Sequence, residues 1–350
     1  MEGKMKAAVM TGTRKMEIQE RDIPKAKSGE VLVKIEYVGI CGSDMHFFEA
    51  GRLGNWIVDV PLVLGHESGG TVVEVGEGVT NLKPGDRVAL EPGVGCGECE
   101  MCKKGLYNLC PNMDFMAIPH ERDGVFLEYY AHPASMCFKL PDNVDTMEGG
   151  LMEPLSVGLH AVDISGAKMG QSAVVLGCGC IGLVTIMALK AAGIDEIYAV
   201  DVLDKRLEKA KEVGAMTVIN GKEQDAVEFI KSLPGGGCDL VYETAGSEFT
   251  TLQSAKMVKK GGAVTLVGMC ANSEITYDIG SLSAAEARLF TIFRYRNLYP
   301  KAIRLVSQGK IPLKSIVSHV FDFKDIVNGI NYNIENKADV IKGVIKMQHT

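Results

Sequence analysis

The chain has 350 residues, 46% of them hydrophobic and 23% charged, an ordinary globular composition that excludes disorder and is too long for one core, so two domains are expected. A formal charge of −7 with no basic block excludes a nucleic-acid surface, because phosphate contacts need clustered Lys and Arg. The opening MEGKMKAAVMTGTRK lacks the apolar core of a signal peptide, which leads to the expectation of a cytoplasmic protein with no membrane partner.

Taken in chain order, VLVKIEY (31–37) alternates through Val31, Val33, Ile35 and Tyr37 as a half-buried strand does. GICGSDMH (39–46) then brings Cys41, Ser43, Asp44 and His46, and LGHES (64–68) brings His66 and Glu67. Alone, a Cys after an apolar strand is usually packing, and a lone His is more often hydrogen-bonded than metal-bound. Together, Cys41, His66 and Glu67 offer three mixed donors with a vacancy, which is what catalytic zinc needs. Ser43, Asp44 and His46 add the acceptors and proton routes that such sites require. GTVVEVGEGVTNLKPGDRVAL (70–90) follows, with turn signals between short apolar runs.

Residues 96–110, CGECEMCKKGLYNLC, place Cys96, Cys99, Cys102 and Cys110 within one short loop. In a reducing compartment such spacing binds metal more often than it forms disulfides. Four thiolates complete a tetrahedral zinc shell and leave no open position. Iron–sulfur ligation also uses four thiolates, but its bacterial spacing ends in a gap of about three residues where this one has seven. The lobe is therefore read as structural. In LMEPLSVGLHA, Glu153 stands before a proline at a domain junction, free to reach a metal or its water, and His160 falls in an apolar helical pattern.

The run 173–189, AVVLGCGCIGLVTIMAL, is uncharged and nearly long enough for a membrane span, but fits a buried strand, a turn and a buried helix equally well. Its GCGCIG supplies Gly177, Gly179 and Gly182 as G-x-G-x-x-G, opening onto a helix-like run. The next apolar run, EIYAV, ends at Asp201, where a carboxylate holding the ribose hydroxyls belongs. The pyrophosphate is expected on the helix N-terminus. Asp201 favours NAD over NADP by repelling a 2′-phosphate, and Arg206 stacks on the adenine or softens that preference. From 155 to 292 strands and helices alternate as in a doubly wound α/β fold, whereas residues 1–154 are mostly strand and turn. Residues 293–350 do not extend the alternation and are expected to return to the first domain. The cleft between domains would then hold the nicotinamide and the open metal.

Metal and dinucleotide motifs in this order resemble the zinc-containing medium-chain dehydrogenase family, most closely its polyol branch, over essentially the whole chain. GICGSDMH, LGHE, the four-cysteine lobe, EPLSVGLHA, the Gly-rich turn and FRYRN all stand in the family's order. The resemblance implies a GroES-like catalytic domain (1–154 and 293–350, zinc lobe about 93–113) and a Rossmann domain (155–292). It implies two zinc ions per chain, a catalytic one on Cys41, His66 and Glu67 and a structural one on Cys96, Cys99, Cys102 and Cys110. Glu153 would hold the metal-bound water or exchange with Glu67. Phe47, Phe115, Glu153, Arg294 and Tyr295 are implied substrate contacts, with Phe47 standing where relatives often carry tyrosine. Ile181, Val267, Phe293 and Arg294 join Gly177, Gly179, Gly182, Asp201 and Arg206 as expected cofactor contacts. Ser43 and His46 would carry the substrate proton. The expected activity is oxidation of a sorbitol- or xylitol-class polyol to a ketose with NAD, by a homotetramer. A threonine or butane-2,3-diol dehydrogenase of the same build is the alternative, and a non-catalytic NAD-binding protein with structural zinc alone is the alternative of another class.

Overall fold

A computed structural model describes residues 2–348 except 60, 271 and 273. The chain divides into two compact units, the first made of Met1–Glu153, Tyr299–Ser307 and Leu313–Thr350, the second of Pro154–Leu298 and Gln308–Pro312. The residues after 292 were expected in the first unit, but 293–298 stay with the second, as does Gln308–Pro312. The backbone explains the first of these differences: Ile292 N–H still donates to the Leu266 carbonyl, so the chain leaves the parallel sheet only after it.

In the first unit the strand Glu30–Gly39 lies inside a seven-stranded sheet, with Val31, Val33, Ile35 and Val38 fully buried. It pairs antiparallel with Glu67–Val75 on one side and with Lys342–Lys346 on the other, and Tyr129–Pro133 also pairs with it. The register sets Glu67 opposite Gly39 on one side and Val344 opposite Gly39 on the other. The C-terminal strand thus returns to the sheet beside the segment that carries Cys41. Apolar side chains from Met5 through Met347 form the core beneath.

The second unit is a six-stranded parallel sheet in the order Thr217–Asn220, Glu196–Asp201, Ser172–Leu176, Cys238–Glu243, Val258–Leu266, Arg288–Thr291. Every neighbouring pair is parallel, so helices must cross over between strands. The uncharged run at 173–189 resolves into the fully buried strand Ser172–Leu176 and the helix Cys180–Ala191. Among the described residues no helix is long and apolar enough to cross a membrane.

Candidate metal centres and nucleotide cleft

Cys41 ends the extended segment after Glu30–Gly39 and caps the helix Gly42–Ala50, while His66 and Glu67 enter the neighbouring strand Glu67–Val75. Sheet pairing therefore brings them together, and their ligand atoms lie within 4.8 Å of one another. Asp44 fixes the arrangement. It is fully buried, its Oδ2 accepts the Cys41 N–H at 3.0 Å, and its Oδ1 accepts the Gly65 N–H at 2.9 Å, with His66 Nδ1 3.6 Å from Oδ1. One carboxylate thus ties the Cys41 turn to the His66 turn. Burial alone would lower the His66 imidazole, but the charges of Cys41 and Asp44 outweigh it and hold it well above its ordinary value.

A residue the sequence did not single out completes this corner. Lys342 Nζ lies 2.7 Å from Glu67 Oε1 and 2.5 Å from Oε2, and also donates to the Ile40 carbonyl at 3.0 Å. Both side chains are buried. The pair meets across Gly39, where an added Cβ would lie 2.0 Å from Glu67 Oε2 and 3.0 Å from Lys342 Cε. The glycine of GICGSD is therefore required by a close approach. A cluster of thiol, imidazole and carboxylate, with an ammonium balancing the carboxylate, fits a zinc ion with room for one more ligand.

The helix Gly42–Ala50 separates its side chains by face: Ser43 is half-buried and His46 exposed, one turn apart. Phe47 was expected to face substrate, but it is 1% exposed and belongs to the apolar core. With no hydroxyl to satisfy, its ring packs with Phe48 against the sheet. Phe115, buried in the same core, has its ring 5.7 Å from that of His66. Glu153, expected among the ligands, does not join the 4.8 Å group. It sits buried on the helix Thr146–Ser165, and its charge acts on another buried carboxyl, Glu91. Burial first, and Glu153 second, lift Glu91 to about 7 against the opposing hydrogen bond from Tyr107, 2.6 Å away. Neither Glu91 nor Tyr107 carries a motif, so sequence reasoning passed over both.

The four lobe sulfurs also lie within 4.8 Å of one another, with Cys99 and Cys110 Sγ 3.8 Å apart. Zn–S bonds of about 2.3 Å in a tetrahedron place sulfurs about 3.8 Å apart, so this donor set fits zinc. Backbone N–H groups of Cys96, Cys99 and Cys102 each point at a lobe sulfur at 3.4 Å, which favours thiolates. Hydrogen bonds from the Glu98 and Cys99 backbone lower Cys96 to about 7. Tyr107 grows from the same lobe, its Cβ and Cys102 Sγ both crowding Gly95.

In the second unit, Gly177 adopts φ +90°, and a Cβ on Gly182 would lie 1.9 Å from the Gly177 carbonyl oxygen. Two of the three motif glycines are thus demanded by the turn itself. Asp201 accepts the Cys178 N–H at 2.7 Å and the Val202 and Leu203 N–H groups at 2.7 and 3.0 Å, which locks the strand end to the turn. Arg206 Nη1 lies 4.0 Å from Asp201 Oδ2. Gly177, Gly179, Asp201 and Arg206 line a cleft of about 720 Å³, a size that takes a nucleotide. Gly182, Ile181, Val267, Phe293 and Arg294, also expected at the cofactor, are not among its walls. Gly182 serves packing instead. Arg294 takes a left-handed φ of +56° with its guanidinium 4.9 Å from the Phe293 ring, and Tyr295 is buried beside it. His160, read as core, is buried, and burial followed by Arg296 lowers it to about 4.

Two family models cover most of this architecture: an alcohol dehydrogenase GroES-like domain matches residues 27–142, and a zinc-binding dehydrogenase model matches 180–308. The chain belongs to the zinc-containing medium-chain dehydrogenase family, on its polyol branch. Sorbitol dehydrogenase of Bacillus subtilis is 39% identical over 342 residues, covering 97% of each chain. An uncharacterized zinc-type alcohol dehydrogenase-like protein of Escherichia coli is 45% identical over 338 residues, 95% of this chain and 96% of its own. Among solved structures, 2R,3R-butanediol dehydrogenase of Bacillus subtilis superposes with a TM-score of 0.89 at 33% identity, covering 98% of this chain and 99% of its own. A putative zinc-binding dehydrogenase of Sinorhizobium meliloti, bound to NADP, has a TM-score of 0.90 at 31% identity, with 98% and 99% covered. As a member of this family of zinc dehydrogenases, the chain is an oxidoreductase.

Proposed function

We propose that this dehydrogenase oxidises a polyol of the sorbitol or xylitol class to the ketose with NAD as acceptor. The observation that carries the reading is the three-donor group at Cys41, His66 and Glu67, which a protein using zinc for structure alone has no reason to build. Cys41, His66 and Glu67 would hold the catalytic zinc, and Cys96, Cys99, Cys102 and Cys110 the structural one. Zinc so held would supply Lewis acidity toward a substrate hydroxyl, and bound NAD would supply the hydride acceptor.

The chain's own residues do the rest. Ser43 Oγ accepts the hydroxyl proton and gives up its own, and His46, one turn along the same helix and open to water, releases a proton to solvent. Asp44 holds Cys41 and His66 in place. Glu153 bounds the site as a buried acceptor for substrate or water. Phe115, Arg294 and Tyr295 orient the polyol, and the left-handed backbone at Arg294 supports that role, since such strain concentrates at functional positions. Asp201 takes the adenosine ribose hydroxyls and disfavours a 2′-phosphate. The proposed assembly is a homotetramer, which light scattering would check.

A threonine or butane-2,3-diol substrate is the second reading, favoured by the likeness to the butanediol enzyme and by Phe47, which lacks the hydroxyl that a tyrosine there would offer a polyol. NADH formation followed at 340 nm with sorbitol, xylitol, threonine and butane-2,3-diol, each with NAD and NADP, separates them. Turnover confined to the polyols with NAD is expected; turnover confined to threonine or the diol overturns the polyol assignment. Asp201→Ala should raise KM for NAD and narrow the NAD/NADP preference, and an unchanged preference would remove that role.

A further inference from the structure

The nucleotide cleft has a wall that no motif announces. In the sheet, Ser172–Leu176 and its glycine turn lie between Glu196–Asp201 on one side and Cys238–Glu243 on the other. Asp201 and Arg206 reach the cleft from the first neighbour. Thr244, Ala245, Phe249 and Gln253 reach it from the second.

Phe249 stands out chemically. It lies in the first turn of the helix Glu248–Met257, yet it is 69% exposed, while Thr251, Ser254, Ala255 and Met257 form that helix's buried side. Its exposure is not the product of a loose helix end. Ser247 Oγ caps the helix by accepting the Thr250 N–H at 3.1 Å. Thr250 Oγ1 donates at 2.8 Å to Oε1 of the fully buried Glu243, which also accepts the Ala245 and Gly246 N–H groups at 2.9 and 3.0 Å. Gly246 turns at φ +65°, with the Met269 carbonyl oxygen 2.5 Å from where a Cβ would sit. A buried carboxylate and a close-packed glycine thus fix the base of a platform whose aromatic ring is left bare over a nucleotide-sized space. A flat apolar ring held this way matches a purine face, since bases stack on aromatic side chains without regard to hydrogen-bond pattern.

We propose that Phe249 is a cofactor-binding residue whose ring stacks on the adenine, with Arg206 bounding the base from the other side of the glycine turn. This rests on the dinucleotide reading of the cleft and deepens it. Isothermal titration of AMP, ADP-ribose and NAD into the full-length zinc-loaded protein tests it, comparing wild type with Phe249→Ala and Phe249→Trp. Phe249→Ala is expected to weaken all three ligands about 5- to 50-fold, Phe249→Trp to stay within about threefold of wild type, and the thermal midpoint of the unliganded protein to hold in both. Unchanged AMP affinity in Phe249→Ala, with wild type binding normally, overturns the stacking role alone. Failure of wild type to bind any of the three ligands overturns the dinucleotide reading and this inference with it.

Discussion

Four sulfurs of the lobe come from residues 96–110, whereas the other donor group draws on Cys41, His66 and Glu67 and is balanced by Lys342, 275 residues from Glu67. Three of the lobe cysteines are half-buried and Cys110 is buried, and their N–H···S bonds come from within the same short segment. The sheet donors are held by strand register, by one buried aspartate and by an ion pair across a glycine. A loop that brings its own ligands can be stapled shut, and four thiolates leave no place for substrate. A site assembled from distant strands is held by the fold rather than by its ligands, which suits a metal site that must leave one position free.

Removing Lys342 should have the largest effect on the sheet site. In the metal-free protein, Lys342→Met leaves the Glu67 carboxylate buried without its counter-ion, at an expected loss of about 3–5 kcal/mol. Zinc held at Cys41, His66 and Glu67 would supply the missing charge, so the loss should be much smaller in the loaded protein. Urea unfolding with and without zinc measures the difference, and equal losses in both forms would show that Lys342 does not balance the metal-site carboxylate. Cys99→Ser should act differently: one zinc lost per chain and a midpoint lower by about 5–10 °C, with turnover per folded chain within about threefold of wild type. Metal analysis beside differential scanning calorimetry reads both, and a thousandfold loss of turnover would show the lobe taking part in chemistry.

A smaller effect concerns Glu91, the carboxyl that joins the lobe's Tyr107 to the neighbourhood of Glu153. Its pKa is raised from 4.5 to about 7, so it favours the fold while protonated. That contribution is full below pH 4.5 and is lost as the pH rises through 7. Glu91→Gln keeps a partner for Tyr107 and cannot ionise. Its stability should therefore decline less than that of wild type between pH 4.5 and 7, by up to about 3 kcal/mol. Parallel stability curves would contradict the placement of Glu91 in a charge-averse pocket.

What the sequence reveals follows the same division. The cysteine spacing and the G-x-G-x-x-G turn are local, and their chemistry is legible because the residues that matter are neighbours. Asp201 is legible because the strand–turn–helix unit has a fixed length. The strand alternation and the return of the C-terminal segment are legible from pattern, but the register that sets Lys342 beside Glu67 is not, because pairing depends on partners hundreds of residues away. Phe47 illustrates the opposite failure. Position in a motif suggested a substrate contact, while packing of an aromatic without a hydroxyl put it in the core. Glu91 and Phe249 are invisible for another reason: one owes its character to burial and the other to exposure, and neither can be read from residue type.

If the dispersed donors carry the chemistry, the clustered ones do not. Zinc content and polyol turnover of Cys41→Ser against wild type test it most directly. Two zinc ions per chain are expected in wild type and one in the variant, with turnover reduced at least about a thousandfold and the thermal midpoint little changed. A variant that keeps full turnover, or that keeps both ions, would contradict it.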